Sequence, residues 1–281
     1  MTRKRFVWKL KEREITLGDR TLIVGVLNVT PDSFSDGGRY LDPDLAYAHA
    51  LELEEQGADI LEIGAESTKP GSQRVSEAEE LHRLVPVLKR LRGKLSVPLA
   101  VDTYKSGVAE KAISLGAEII NDPSTLTFDA LLGKVVGLHN AGLILNHMRG
   151  TPESWAKLPP LQDPVGSVVN DLSACVHRAM RSGVERQRIV IDPGLGFGKR
   201  KEENTQILAR LGQLAKLEMP MMVGSSRKSF LQQPTELETA FAGAAAVTAA
   251  ILGGAHLVRV HDVKEMAAAA RVADAVLRGG S

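Results

Sequence analysis

The stretch Gly57-Ala58-Asp59-Ile60-Leu61-Glu62-Ile63 carries the pattern that decides the fold. A glycine closes a helix-like run, two residues follow, and a short apolar run begins at once. This is how a glycine C-cap feeds directly into a strand. The phrase returns as Gly116-Ala117-Glu118-Ile119 and as Gly254-Ala255-His256-Leu257. Outward from these three exits, apolar runs suited to buried strands stand at 22–27, 60–63, 98–101, 118–120, 143–145, 189–191, 221–223 and 257–260, eight in all. The segments between them read as helices. Leu81, Leu84, Val85, Leu88 and Leu91 share one helical face, Ser76 with Glu79 reads as a capping box, and Asp42-Pro43 as an N-cap followed by a first-turn proline. Near-continuous apolar strands alternating with helices predict an α/β fold with a parallel sheet covered by helices. Eight such units favour closure into a (β/α)8 barrel of the TIM type over an open doubly wound sheet. Residues 6–10 and 14–17 read as an N-terminal β-hairpin that plugs the barrel floor. No Pro/Gly/Ser-rich linker divides the chain, so residues 1–281 are read as a single domain.

Composition sets the outer bounds. The chain has 281 residues, 43% hydrophobic and 25% charged, which is ordinary globular usage and excludes a disordered tail or a disulfide scaffold. Thirty-five basic against thirty-four acidic residues leave a net charge of +1, so no overall field recruits nucleic acid or an anionic membrane. Cys175 is the one cysteine, which predicts a structural thiol and a reducing cytoplasm. The basic start Met1-Thr-Arg-Lys-Arg is followed by further charges rather than an apolar run, against secretion. Residues 239–258 lack Asp, Glu, Lys and Arg and have about the length of a bilayer span, but Gly253-Gly254 divides them into a helix and a strand.

Chemistry on such a scaffold belongs at the C-terminal ends of the strands. There the sequence places Asn28, Glu62, Asp102, Asn121, His147, Asp192, Ser226 to Lys228, and Arg259 with His261. Any one of them could simply cap a helix; all eight strands ending in polar groups points to a site. Asp102, Asn121, Asp192 and Lys228 offer carboxylates, an amide and a cation that match the edge of a flat, polar heterocycle. Arg259, His261 and the backbone N–H groups opening the helix at Asp262 favour an anion such as phosphate. The glycines of Asp192-Pro-Gly-Leu-Gly-Phe-Gly-Lys199 fit neither the dinucleotide nor the phosphate-loop spacing, and the histidines lack metal-ligand spacing. Trp8 and Trp155 read as packing or loop aromatics.

Seven strings, in order from end to end, resemble the dihydropteroate synthase family: Gly25-Val-Leu-Asn-Val-Thr-Pro-Asp-Ser-Phe-Ser-Asp-Gly-Gly38, Gly64-Ala-Glu-Ser-Thr-Lys-Pro-Gly71, Val101-Asp-Thr-Tyr-Lys105, His147-Met-Arg-Gly-Thr-Pro152, Asp192 to Lys199, Ser226-Arg-Lys-Ser-Phe230 and Arg259-Val-His-Asp-Val263. The resemblance implies a folate-pathway transferase on a (β/α)8 barrel. It would condense 7,8-dihydropterin-6-ylmethyl diphosphate with p-aminobenzoate, with Mg2+ as cofactor and small molecules and a second copy of itself as partners. Carried over by motif, Asp102, Asn121, Asp192 and Lys228 would hold the pterin, with Gly224 and Phe197 lining its pocket. Asn28 and Asp36 would serve the metal, and Thr68, Lys69, Arg259 and His261 the diphosphate. Phe34, Pro70, Phe197 and Ser229 would frame p-aminobenzoate, whose carboxylate could use the N-terminus of a helix beginning near Ser229. Asp102, Lys228, Arg259 and His261 would be the catalytic set. Diphosphate would leave first, so the site needs charge stabilisation more than a nucleophile.

The chain departs from the family pattern at Lys69, in place of an arginine; at Pro123, where an aliphatic residue is usual; and at Asn146, in place of a methionine. Two other readings stand beside this one, the first motivated by these changes and the second by shared Asp/Asn features. One is a pterin-binding barrel without turnover, which would bind pterin and release no diphosphate. The other is a corrinoid-dependent methyltransferase, against which the Ser226-Arg-Lys-Ser229 string and both long loop motifs stand. The alanine-rich segments 242–250 and 267–275 place a homodimer contact on the seventh and eighth helices.

Overall fold

At each of the three quoted exits the glycine is left-handed, with φ of 104° at Gly57, 110° at Gly116 and 104° at Gly254. The next amide closes the turn by donating five residues back, Ala58 to Leu53, Ala117 to Ala112 and Ala255 to Ala250, each at 3.0 Å. These are Schellman C-caps, and only glycine takes that φ without strain. The computed structural model describes residues 3–30, 42–69 and 71–280. Chain order within them is β1 (Phe6–Lys9), β2 (Glu14–Leu17), β3 (Leu22–Asn28), α1 (Pro43–Glu55), β4 (Ile60–Gly64), α2 (Glu77–Leu91), β5 (Leu99–Asp102), α3 (Ser106–Ser114) and β6 (Ile119–Asp122). It continues with α4 (Leu132–Leu138), β7 (Gly142–Asn146), α5 (Pro164–Arg181), β8 (Ile189–Asp192), α6 (Lys201–Ala209), β9 (Met222–Gly224), α7 (Glu236–Leu252), β10 (Leu257–Val260) and α8 (Val263–Gly279).

The parallel strands run β8-β7-β6-β5-β4-β3-β10-β9. A parallel bridge between Ile191 and Met221, with Ile191 N donating to Pro220 O at 3.0 Å, joins the two ends and closes the barrel. The predicted helix starts are present. Asp42 accepts from Asp44 N with Pro43 opening α1, and Ser76 accepts from Glu79 N. The reciprocal half of the expected capping box at Ser76 is replaced, because the Glu79 carboxylate turns to Arg83 Nε at 2.6 Å. Residues 239–258 divide as read, into α7 and β10; among the described residues no helix is long and apolar enough to cross a membrane.

Alternation along the strands sorts two layers inside the barrel. The lower layer is apolar, with Val24, Ile60, Ala100, Ile119, Ile144, Val190, Met222 and Leu257 packed around Trp8, Leu10 and Leu17 of the hairpin. Trp8 is fully buried and donates Nε1 to Arg188 O at 2.9 Å, so the hairpin does seal the floor. Gly142 makes room for it, since a Cβ there would meet Leu10 Cδ2 at 2.6 Å. Two residues further along, six of the eight strands turn polar inward, with Glu62, Asp102, Asn121, Asn146, Asp192 and Arg259, while β9 brings Gly224 and β3 the apolar Val26. The change from an apolar to a polar layer places a site at the barrel mouth.

Candidate active site

Strand register brings the predicted heterocycle-binding groups together. Asp102 pairs with Asn121 across β5 and β6, and Asn146 with Asp192 across β7 and β8. Arg259 lies opposite Gly224 on β9, where a missing side chain leaves Asp192 Oδ2 3.7 Å from the position a Cβ would take. Arg259 Nη2 donates to Asp102 Oδ2 at 3.0 Å, and its Nε pairs with Glu62 Oε1. Glu62 is fully buried, and its other oxygen accepts from Asn121 Nδ2 at 2.9 Å. Asn121 Oδ1 is buried with no hydrogen-bond partner among the described residues. A buried orphan acceptor is costly unless a ligand supplies the donor.

Ionisation in this layer is displaced. Burial pushes Asp192 up to about 6, against the opposing pull of the Gly194 N–H and the nearby Arg259 and Lys228. Burial and the neighbouring Glu62 charge raise Asp102 although Arg259 pairs with it. Desolvation and the adjacent Arg259 lower Lys228 to about 8. The Lys228 ammonium stands 4.0 Å over the centre of the Phe197 ring, a cation–π contact that puts both residues on one wall.

Phe197 is held by the Asp192–Lys199 loop, whose glycines fit no nucleotide-binding spacing but which is one of the family-like strings. Gly194, Gly196 and Gly198 all have positive φ, and the loop folds over Lys199. Lys199 is buried and donates to His147 O (3.2 Å), Gly194 O (2.7 Å) and Phe197 O (3.2 Å), so its ammonium is spent on backbone carbonyls rather than on phosphate. Trp155 packs edge-on against Phe197 at 5.7 Å and donates Nε1 to Arg149 O at 2.7 Å, a loop aromatic as read. His147 bonds Asp171 at 3.0 Å, and burial lowers it to about 4.

On the cationic side His261 bonds Ser226 Oγ through Nδ1 at 3.0 Å. Burial and the charges of Arg227, Arg259, Lys228 and Lys69 hold its pKa well below the ordinary histidine value. Of these cations Arg259 is paired with Glu62 and Asp102 and Arg227 with Asp262, so Lys228 and Lys69 bring the further positive charge to this side of the site. Arg227, at a left-handed φ of 56°, turns the chain so that its guanidinium pairs with Asp262 at 2.7 Å while Lys228 faces the pocket. Thr68 lines a small cavity with Tyr104, Pro123 and Met148. Its loop is tethered through Glu66, which accepts from Tyr104 OH at 2.7 Å and pairs with Lys105. Two of the departures touch each other: buried Asn146 donates Nδ2 toward Pro123 O at 3.4 Å.

Phe34, Asp36 and Pro70 lie outside the described residues. The helix expected to begin near Ser229 is a correction: Ser229–Leu231 is a single 3-10 turn, and α7 starts only at Glu236 behind the Thr235 cap. Pro234 interrupts the run between them, so Ser229 has no helix dipole behind it. Glu62 and Lys199 are the functional residues the sequence left without a role. Glu62 was visible as a charged residue in an apolar strand, and Lys199 only as the end of a glycine-rich string. For a metal, Asn28 at the mouth end of β3 pairs with Gly64 of β4, and its Oδ1 stands 3.5 Å from where a Cβ on Gly64 would sit. An amide oxygen with a carboxylate suits Mg2+.

Residues 24–261 match the model of the pterin binding enzyme family. The chain belongs to that family. Its relatives include dihydropteroate synthases: that of Synechocystis is 42% identical over 93% of this chain and 92% of its own, and that of Bacillus subtilis is 40% identical over 96% and 93%. Among solved structures, dihydropteroate synthase from Yersinia pestis with a sulfonamide drug complex superposes with a TM-score of 0.91 at 35% identity, covering 96% of this chain and 99% of that one. The Xanthomonas albilineans enzyme in complex with 7,8-dihydropteroate superposes at 0.81 with 34% identity, covering 95% and 98%. The closed barrel, its floor hairpin and the family are therefore as the sequence reading had them.

Proposed function

We infer that this protein is a dihydropteroate synthase acting in folate biosynthesis. It transfers the dihydropterin-6-ylmethyl group from its diphosphate to p-aminobenzoate. The carbon–oxygen bond at the exocyclic methylene breaks and its electron pair leaves with diphosphate. The aniline nitrogen then forms the new carbon–nitrogen bond and loses a proton. The observation that carries this reading is the polar inward layer at the mouth, with Asn121 Oδ1 buried and unpaired beside Asp102, Asp192 and Lys228. Acceptors on one side and a cation on the other match a ring whose edge carries N–H donors and a carbonyl.

In this reading Asp102, Asn121, Asp192 and Lys228 orient the pterin, with Gly224 and Phe197 as walls. Lys69, Arg259, His261 and Thr68 stabilise the departing diphosphate, supported by the cations that surround His261. Lys69 contributes a point charge rather than a bidentate fork. Phe34, Pro70 and Ser229 would frame p-aminobenzoate. Asn28 and Asp36 would hold Mg2+, which when bound neutralises charge on the diphosphate. The chain works as one cytoplasmic domain of residues 1–281 and as a homodimer through α7 and α8. Support for the dimer is the apolar surface those helices expose.

The decisive experiment measures diphosphate release from the dihydropterinylmethyl diphosphate with Mg2+, with and without p-aminobenzoate, alongside chromatography for dihydropteroate. Dihydropteroate formed only with both substrates is the expected result. Tight pterin binding without condensation would replace the enzyme with a pterin-binding barrel.

A further inference from the structure

Glu62, in the inward polar layer of the barrel, is a fully buried carboxylate with two defined partners. Oε2 takes Asn121 Nδ2 at 2.9 Å, and Oε1 takes Arg259 Nε, whose Nη2 continues to Asp102 at 3.0 Å. An ionised carboxylate only accepts hydrogen bonds. An asparagine amide turned the other way would set Oδ1 against Glu62 Oε2, acceptor facing acceptor in a low-dielectric layer. Glu62 therefore decides which end of the Asn121 amide is left over, and what is left is Oδ1, buried and unpaired.

We propose that Glu62 is a positioning residue that sets the hydrogen-bonding sense of the pterin pocket: by claiming the Asn121 NH2 group it makes Asn121 an acceptor toward the ligand, so that the pocket selects a heterocycle edge presenting N–H. The proposal rests on the pterin-binding reading above. It also explains why a glutamate occupies the middle of β4, between Leu61 and Ile63, which are both buried in the apolar core outside the barrel. One carboxylate seats two groups that face the ligand, Asn121 and Arg259, from strands on either side of β4.

The substitution Glu62→Gln separates orientation from packing. The new side chain has the same shape and can still offer its oxygen to Arg259 Nε, but its NH2 group then points at Asn121. Asn121 must turn, and its own NH2 meets the N–H edge of the pterin. Pterin affinity is expected to fall 10-fold or more, and the KM for the pterin diphosphate to rise similarly with kcat changed less. The double variant Glu62→Gln with Asn121→Asp restores the pattern, because an aspartate at 121 accepts from the new amide and keeps an oxygen for the ligand. Asn121→Asp alone sets two carboxylates against each other and is expected to bind worse than the double variant. The measurement is calorimetric titration of wild type, both single variants and the double variant with 6-hydroxymethyl-7,8-dihydropterin, with folding checked by circular dichroism. Recovery of affinity in the double variant relative to both single variants supports the proposal. Wild-type affinity in Glu62→Gln, or a double variant no better than the single ones, overturns it while leaving the enzyme reading intact. Absence of pterin binding by wild type would remove both.

Discussion

Asp192 and Lys228 face one pocket with their ionisations displaced toward each other, to about 6 and about 8. The ionised carboxylate is the stronger acceptor from ring N–H, and protonation brings an O–H to a donor-rich edge, so pterin affinity should fall as pH drops through about 6. The ammonium is a stronger donor than the neutral amine, so affinity should fall again as pH rises through about 8. Titrating Kd for a pterin from pH 5 to 9, roughly two units around these values, should give a bell with its maximum between them. Asp192→Asn should lose the acid limb along with most of the affinity, because an amide brings a donor to a donor-rich edge. A flat profile in wild type would sink both assignments. Lys228→Ala removes the cation and its contact with the Phe197 ring. Truncating one partner of a buried charged interaction costs ~2–5 kcal/mol, so binding should weaken by at least ~30-fold with little change in the circular dichroism spectrum. Unchanged kinetics would return Lys228 to the status of a solvated lysine.

At the scale of the element, the loop from Asp192 to Lys199 shows how backbone shape places a functional ring. Gly194 sits at φ +63°, and a Cβ there would lie 1.8 Å from His147 O, the carbonyl that Lys199 also binds. Gly194→Ala cannot be accommodated by a rotamer change. It incurs the left-handed penalty of roughly 1–2 kcal/mol and must also part the loop from β7. The expected outcome is a melting temperature lower by several degrees together with weaker pterin binding, read by thermal denaturation and calorimetry; an unchanged Tm would show that the loop yields freely. The same element marks the limit of what the sequence discloses. The strand ends, the glycine caps and the hairpin follow local rules, so Asp102, Asn121, Asp192 and Arg259 could be placed at the mouth from spacing alone. Lys199 could not be understood that way, because its partners are carbonyls fifty-two, five and two residues away. Nor could Glu62, whose partners Asn121 and Arg259 are fifty-nine and 197 residues distant and meet it only when the barrel closes. The Ser229 helix was misplaced for a local reason: Pro234 and the Thr235 capping box with Glu238 start α7 later.

At the scale of the whole molecule, the barrel buries one face of each helix, and what remains exposed on α7 and α8 is unusual. Leu237 and Phe241 are each 66% exposed, Val272 67% and Val276 58%. Each pair is separated by one helical turn and so lies on one stripe, and α7 and α8 pack along each other. The result is an apolar surface of the kind that marks an interaction site. A two-fold axis beside these helices would set the stripe against its own copy, since a self-complementary patch is what a dimer of identical chains requires. Phe241→Glu puts a charge at the middle of that contact. Light scattering at micromolar concentration should give twice the chain mass for wild type and the single-chain mass for the variant. Turnover per chain should stay within a few-fold of wild type, because the groups at the barrel mouth come from the strand ends of one chain. A monomeric wild type would remove the dimer and leave the stripe without its partner, whereas a dimeric Phe241→Glu protein would move the contact away from these two helices.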